Sequence, residues 1–221
     1  MLVLWHGLIY VFTEGLKIAG GLTGSYGVGI ILLTLAIRIV LFPLYRAQLM
    51  SMVRLQRIQP ELDSVKQKYK GNQEKIASEQ MRLMKESGSN PLLGCLPTLL
   101  QLPIMWAFYD MLHSFKFPGG FLWLPSLGKP DPLYILPVLG GLSTYWQTRA
   151  SMALQPSSTR QQMQMMMYMA PILTFVIFYR LASGVAVYWV VSNILTVAQQ
   201  YMTVGLRRGP KGVDGHAESK S

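Results

Sequence analysis

Residues 26–45 read YGVGIILLTLAIRIVLFPLY. The run is apolar at nearly every position, with the length and character of a transmembrane helix. Arg38 stands inside it. A charged side chain at the centre of such a helix costs about 2.5–3.5 kcal/mol on insertion scales. Thr34, four residues earlier, shares its face. Arg38 lies about 18 Å from the start of the run at the helical rise. It can snorkel to an interface, pair with a buried acid, or face a wet cavity inside a helix bundle. The cavity is the favoured reading, because no acid stands clearly inside any apolar run and Asp110, near the end of one, is the nearest candidate.

The whole chain has the same character. Of its 221 residues 51% are hydrophobic and 14% charged, and its mean hydropathy is +0.29. Soluble domains carry about a quarter charged residues, so this composition predicts an integral membrane protein. The single cysteine, Cys95, excludes an intramolecular disulfide framework and a multi-cysteine metal site. It sits in an apolar run and reads as a small buried hydrophobe.

The expected fold is all-α. It is a polytopic membrane protein with five transmembrane helices, an N-terminal interfacial amphipathic helix and a cytoplasmic helical hairpin. Residues 1–22 lack the basic start of a cleavable signal peptide. They gather His6, Thr13, Glu14 and Lys17 on one helical face, which predicts a helix lying in the membrane interface. Gly20, Gly21 and Gly24 read as a flexible link into the first span, 23–45.

From 46 to 90 the chain turns charged. Leu55, Ile58, Leu62, Val65 and Tyr69 are spaced as a heptad seam, Gly71-Asn72 breaks it, and Ile76, Gln80 and Leu83 resume it. That is an antiparallel hairpin, mobile and held by its own seam. The second span is 91–113, with Pro97, Pro103 and Gln101. A loop rich in Gly and Pro covers 114–131, with Phe121 and Trp123 suited to an interface. Further spans are 132–150, 162–180 and 183–205. A polar turn of 151–161 and a basic tail of 206–221 complete the chain.

Five spans put fifteen of the twenty Lys and Arg on the side of the hairpin and tail, against four on the other side. The positive-inside rule then predicts a cytoplasmic C-terminus and an outside N-terminus. In the fifth span Tyr188, Ser192, Thr196 and Gln199 share one helical face, flanked by Trp189 and Asn193. Asn193 and Thr196 reach about 12–17 Å from the outer end, a depth similar to that of Arg38. Gln101 falls near mid-membrane. Spans one, two and five are therefore expected to share a polar cavity, although each Ser, Thr or Gln alone reads as interhelical glue.

Enzyme chemistry finds little footing. A membrane aspartyl protease needs two mid-span carboxylates, and none is present. Gly140-Gly141-Leu142-Ser143 is no nucleophile motif, and His6, His113 and His216 all lie outside span centres. There is no phosphate-binding glycine loop. An anion transporter with a central arginine is the alternative, since proline-interrupted helices suit one. Against it, five spans do not divide into two repeats.

Four segments together resemble a known family: TLAIRIVLFPLYRAQLMSM (34–52), NPLLGCLPTLLQLPIMWAFYDML (90–112), LYILPVL (133–139) and SGVAVYWVVSNILTVAQQ (183–200). They are similar to the YidC membrane protein insertases, which have mitochondrial and chloroplast relatives. Two features that members can carry, a large extracytoplasmic domain before the first span and a lipoprotein-type Leu-x-x-Cys start, are not expected within residues 1–22. The resemblance implies five helices around a groove open to the cytoplasm and to lipid but closed outside, in the bacterial cytoplasmic (inner) membrane. It implies that Arg38 is the groove arginine, that Thr34, Gln101 and Asn193 line the groove, and that Tyr188 and Trp189 are its aromatic contact pair. Ser192 and Thr196 join the candidate site from their shared face. The implied partners are nascent membrane proteins, the ribosome, the lipid bilayer and the Sec translocon. No cofactor, metal or nucleic-acid substrate is implied.

Overall fold

The computed structural model describes residues 2–88, 91–115, 117, 119–154 and 157–205. The basic tail (206–221) and the side chain of Cys95 lie outside the described residues. Nine helices are described: α1 (Leu2–Thr23), α2 (Tyr26–Val40), α3 (Phe42–Arg57), α4 (Gln59–Lys68), α5 (Gln73–Glu86), α6 (Pro91–Ser114), α7 (Ile135–Met152), α8 (Ser157–Phe178) and α9 (Ser183–Val204). No strand occurs among the described residues.

The expected span at 26–45 is two helices bent by 60° at Leu41. Pro43 explains the break. It has no N–H and its ring clashes with the carbonyl four residues back, so it ends one helix and sits in the first turn of the next. Among the described residues no single helix is long and apolar enough to cross a membrane on its own; α2 and α3 meet that test together. In α9 the inward polar residues Ser192, Asn193, Gln199 and Gln200 dilute the apolar character.

The expected glycine link does not form. α1 runs through Gly20 and Gly21 to Thr23, and the chain reverses at Gly24, whose φ is +68°. Gly20 instead allows close approach: a Cβ there would stand 2.6 Å from the Tyr26 ring. The bare backbone at Gly29 packs in turn on Gly20. α1 buries Phe12 and Leu16, and Phe12 meets Phe108 of α6 edge-on at 6.0 Å.

The first arm of the expected hairpin is likewise broken, at Ile58. Pro60 is the cause, again seated in the first turn of a new helix. α3 belongs to the bundle, packing on α6 and α9, while α4 and α5 pair with each other. Asn72 caps α5 by accepting from Lys75 N at 3.0 Å. The polar turn expected at 151–161 is shorter, since α8 already begins at Ser157.

α9 is the axis of the bundle and packs on α2, α3, α6 and α7. The apolar core gathers Leu16 and Ile30 with Phe108, Leu112, Val185 and Tyr188. The loop after α6 folds over one end of it. Phe121 and Leu124 exchange backbone hydrogen bonds, Leu124 and Leu127 are buried, and the Phe121 ring lies against Gly27.

Candidate functional site

Arg38 leaves the last turn of α2, half-buried. Its Nη2 donates to the carbonyl oxygen of Ser192 at 3.1 Å, and its guanidinium carbon stands 5.8 Å from the centre of the Tyr45 ring. The α2–α3 bend brings Tyr45 back towards it. Gln199 Nε2 donates to the Arg38 backbone carbonyl at 3.4 Å. The ion pairs among the described residues lie on α1, α4 and α5, and none involves Arg38. The charge is therefore held by carbonyl, ring and open space.

Thr34, Gln101, Tyr188 and Ser192 surround it and together line a cleft of about 50 Å³. The Thr34 hydroxyl is turned to the Ile30 carbonyl at 2.7 Å, which satisfies a group that is only 1% exposed. Gln101 Nε2 donates to Tyr188 Oη at 2.7 Å. The Tyr188 ring stacks on Phe108 at 4.7 Å. Tyr188 is thus a buried wall of the cleft.

Trp189 and Asn193 face the other way, towards α7. Trp189 Nε1 donates to Thr144 Oγ1 at 3.0 Å. The Asn193 amide lies 3.1 and 3.2 Å from the hydroxyls of Ser143 and Thr144. Turned so that its carbonyl faces them, it also accepts from Trp189 Nε1 at 3.1 Å, and this orientation satisfies the group better. Thr196 Oγ1 returns to the Ser192 carbonyl at 2.8 Å. The two members of the expected aromatic pair therefore point to different neighbours, because adjacent helix positions do not share a face.

A larger cavity of about 890 Å³ opens beside the cleft, and Arg38, Tyr45 and Gln101 line both. One wall is polar: Trp189, Asn193, Thr196 and Gln200 of α9 with Thr144, Gln147, Thr148 and Ser151 of α7. The other is apolar, with Leu102, Met105 and Trp106 of α6 facing Met166, Leu173 and Ile177 of α8. The α7 residues were not among those expected. Their signal is a stripe at Ser143, Thr144, Gln147, Thr148 and Ser151, which recurs with helical period.

A cation in a half-polar, half-apolar cavity suits a guest of mixed polarity. The family model described as "60Kd inner membrane protein" matches residues 18–208. A membrane protein insertase YidC of Fusobacterium nucleatum is 42% identical over 180 residues, covering 80% of this chain and 85% of that one. The chain belongs to the YidC family of membrane protein insertases. A YidC of Enterococcus faecalis is 42% identical over 200 residues, covering 87% of this chain and 71% of the relative. The insertase MisCA of Bacillus subtilis is 35% identical over 213 residues, 92% of this chain and 81% of its own length. Among solved structures, an active YidC insertase with its first transmembrane domain resolved superposes with a TM-score of 0.64 at 29% identity. That match covers 90% of this chain and 46% of the other, so the chain spans about half of the solved protein. Membership of the YidC family makes this a bacterial inner-membrane protein.

Proposed function

We propose that this chain receives nascent hydrophobic segments in the groove around Arg38 and releases them sideways into lipid. The observation that carries the reading is a cation without a carboxylate partner among the described residues, set where a polar wall of α7 and α9 meets an apolar wall of α6 and α8. A guest helix with a short polar flank must move that flank across about 30 Å of hydrocarbon. A wet groove reaching part-way shortens the path, and Arg38 offers an acidic flank a counter-charge. The membrane potential adds about 2.3 kcal/mol per charge per 100 mV. Partition of the guest's apolar residues supplies the rest of the drive. Covalent chemistry and nucleotide have no part in this mechanism.

In this reading five spans cross the membrane: α2 with the first turn of α3, then α6, α7, α8 and α9. The N-terminus is outside, and the α4–α5 hairpin and the tail are cytoplasmic, from the distribution of Lys and Arg. The cleft and cavity open to the cytoplasm, and ribosomes and the Sec translocon are the partners that deliver guests. The anion-transporter alternative finds no support, since the relatives reported above are named insertases.

Purified protein in liposomes tests the reading. An insertase integrates a short single-span protein made in the presence of the vesicles, and moves no small anion when no guest is supplied. Anion flux without insertion is the result that overturns it.

A further inference from the structure

We propose that Asp131 is a positioning residue that holds the outer end of the cavity shut; this rests on the insertase reading and its orientation. Asp131 is only 3% exposed, yet none of the ion pairs among the described residues involves it. Among the described residues its carboxylate accepts from N–H groups alone. Oδ1 accepts from Trp123 Nε1 at 3.1 Å and from Leu133 N at 3.0 Å, and Oδ2 accepts from Leu136 N at 2.7 Å.

These three bonds join the loop to the start of α7. Trp123 belongs to the loop that packs Phe121 on Gly27 of α2. Leu133 lies just before α7 and Leu136 in its first turn, and between them Tyr134, the residue that precedes the helix, takes the left-handed conformation at φ +56°. That is uncommon for a bulky side chain, and the Asp131 bonds on either side hold the chain in it. Two residues earlier, the Lys129 carbonyl accepts from the Ser183 backbone N at 2.8 Å and from Ser183 Oγ at 2.5 Å. The Leu127 carbonyl accepts from Gly184 N at 2.9 Å. The loop therefore satisfies the free N–H groups at the start of α9. Asp131 ties the loop to the start of α7, and the same loop holds the start of α9 through the Lys129 and Leu127 carbonyls, next to Val185, which lines the larger cavity and is fully buried. The Ser143–Thr144–Asn193 contacts lie about 12 Å further along α7, so the same clamp sets the register of the polar wall.

Asparagine in its place turns one acceptor into a donor, which then faces an N–H. The test uses Val185→Cys in a Cys95→Ser background, reconstituted in vesicles, with a membrane-impermeant thiol reagent on each side. With Asp131 intact, Val185→Cys is unreactive from outside. Asp131→Asn should raise its outside labelling at least tenfold, while labelling of Gln147→Cys from the cytoplasmic side and protease resistance in detergent stay as they were. Trp123→Phe, which removes one of the three donors, should give a smaller rise in the same direction. A folded Asp131→Asn protein with no outside labelling overturns the proposal. If Asp131→Asn fails to fold, Trp123→Phe decides: a rise supports the clamp, and no change overturns it. Failure of Gln147→Cys to label from the cytoplasm in the unaltered protein would instead count against the insertase reading.

Discussion

Arg38 Nη2 donates to the Ser192 carbonyl at 3.1 Å, joining α2 to α9 across 154 positions of sequence. Among the described residues it is the single hydrogen bond of the guanidinium, made by one of its arms. Lysine lacks the planar fork but keeps the charge and can donate one such bond. Arg38→Lys should therefore keep insertion of a guest with an acidic flank within about threefold of the unaltered protein, the factor that well under 1.4 kcal/mol allows. Initial insertion rates in proteoliposomes measure this. A Lys variant as inactive as Arg38→Ala would mean that the fork itself is needed.

Tyr188 is a buried wall of the cleft. Its ring is stacked on Phe108 and its hydroxyl accepts from Gln101. Tyr188→Phe should lose about 0.5–1.5 kcal/mol, the net worth of one hydrogen bond. Tyr188→Ala should lose about 3–5 kcal/mol, as large aromatic truncations do. Denaturant unfolding in detergent separates the two. Equal losses would show that the hydroxyl, and not the ring, carries the residue.

The loop after α6 rests on a glycine. Phe121 occupies the space that any side chain at Gly27 would need. Gly27→Val should displace the ring and destabilise the protein by about 1–3 kcal/mol, the usual range for overpacking. A melting temperature unchanged from the unaltered protein would show that the loop does not bear on α2.

The α4–α5 hairpin should be separable from the bundle. Its two helices pack on each other and α4 adjoins α3, while α3 itself packs on α6 and α9. Near its base Arg54 Nη1 donates to the Gly88 carbonyl at 3.1 Å, a bond exposed to solvent. Deleting Glu61 to Lys85 should leave protease resistance of the rest in place and lower insertion. Collapse of the bundle on deletion would make the hairpin structural.

Solvent access should follow the cavity rather than the helix. Gln147 is half-buried on the wall of the large cavity, whereas Thr34 is 1% exposed in the small cleft. In a Cys95→Ser background, Gln147→Cys should react with a small water-soluble thiol reagent from the cytoplasmic side at least tenfold faster than Thr34→Cys. The reverse order would place the open water at α2.

Much of this was legible in the chain, and the failures have physical causes. Apolar runs with helical period lie at α6, α7, α8 and α9, because burial of a helix face leaves that period in any sequence. Arg38, Gln101, Tyr188 and Ser192 come together because a lone charge and a polar face at one depth have few places to go. The break at Ile58 was hidden by a heptad seam that runs on through it, although Pro60 signals a new helix start. The glycines of α1 looked like a hinge, because sequence does not tell a glycine that bends from one that lets Tyr26 approach. The α7 stripe was missed for a related reason. Each Ser or Thr in an apolar helix reads as interhelical glue, and only the Trp189 and Asn193 contacts show which wall they build.

The most direct test compares guests that differ only in flank charge. A single-span protein with an acidic flank and one with a neutral flank are offered to proteoliposomes holding the unaltered protein or Arg38→Ala. A counter-charge in a wet groove predicts that Arg38→Ala lowers insertion of the acidic guest at least tenfold and that of the neutral guest by no more than about twofold, a selective loss of at least 1 kcal/mol. Equal losses for both guests would contradict it and make Arg38 a hydrogen-bonded strut between α2 and α9.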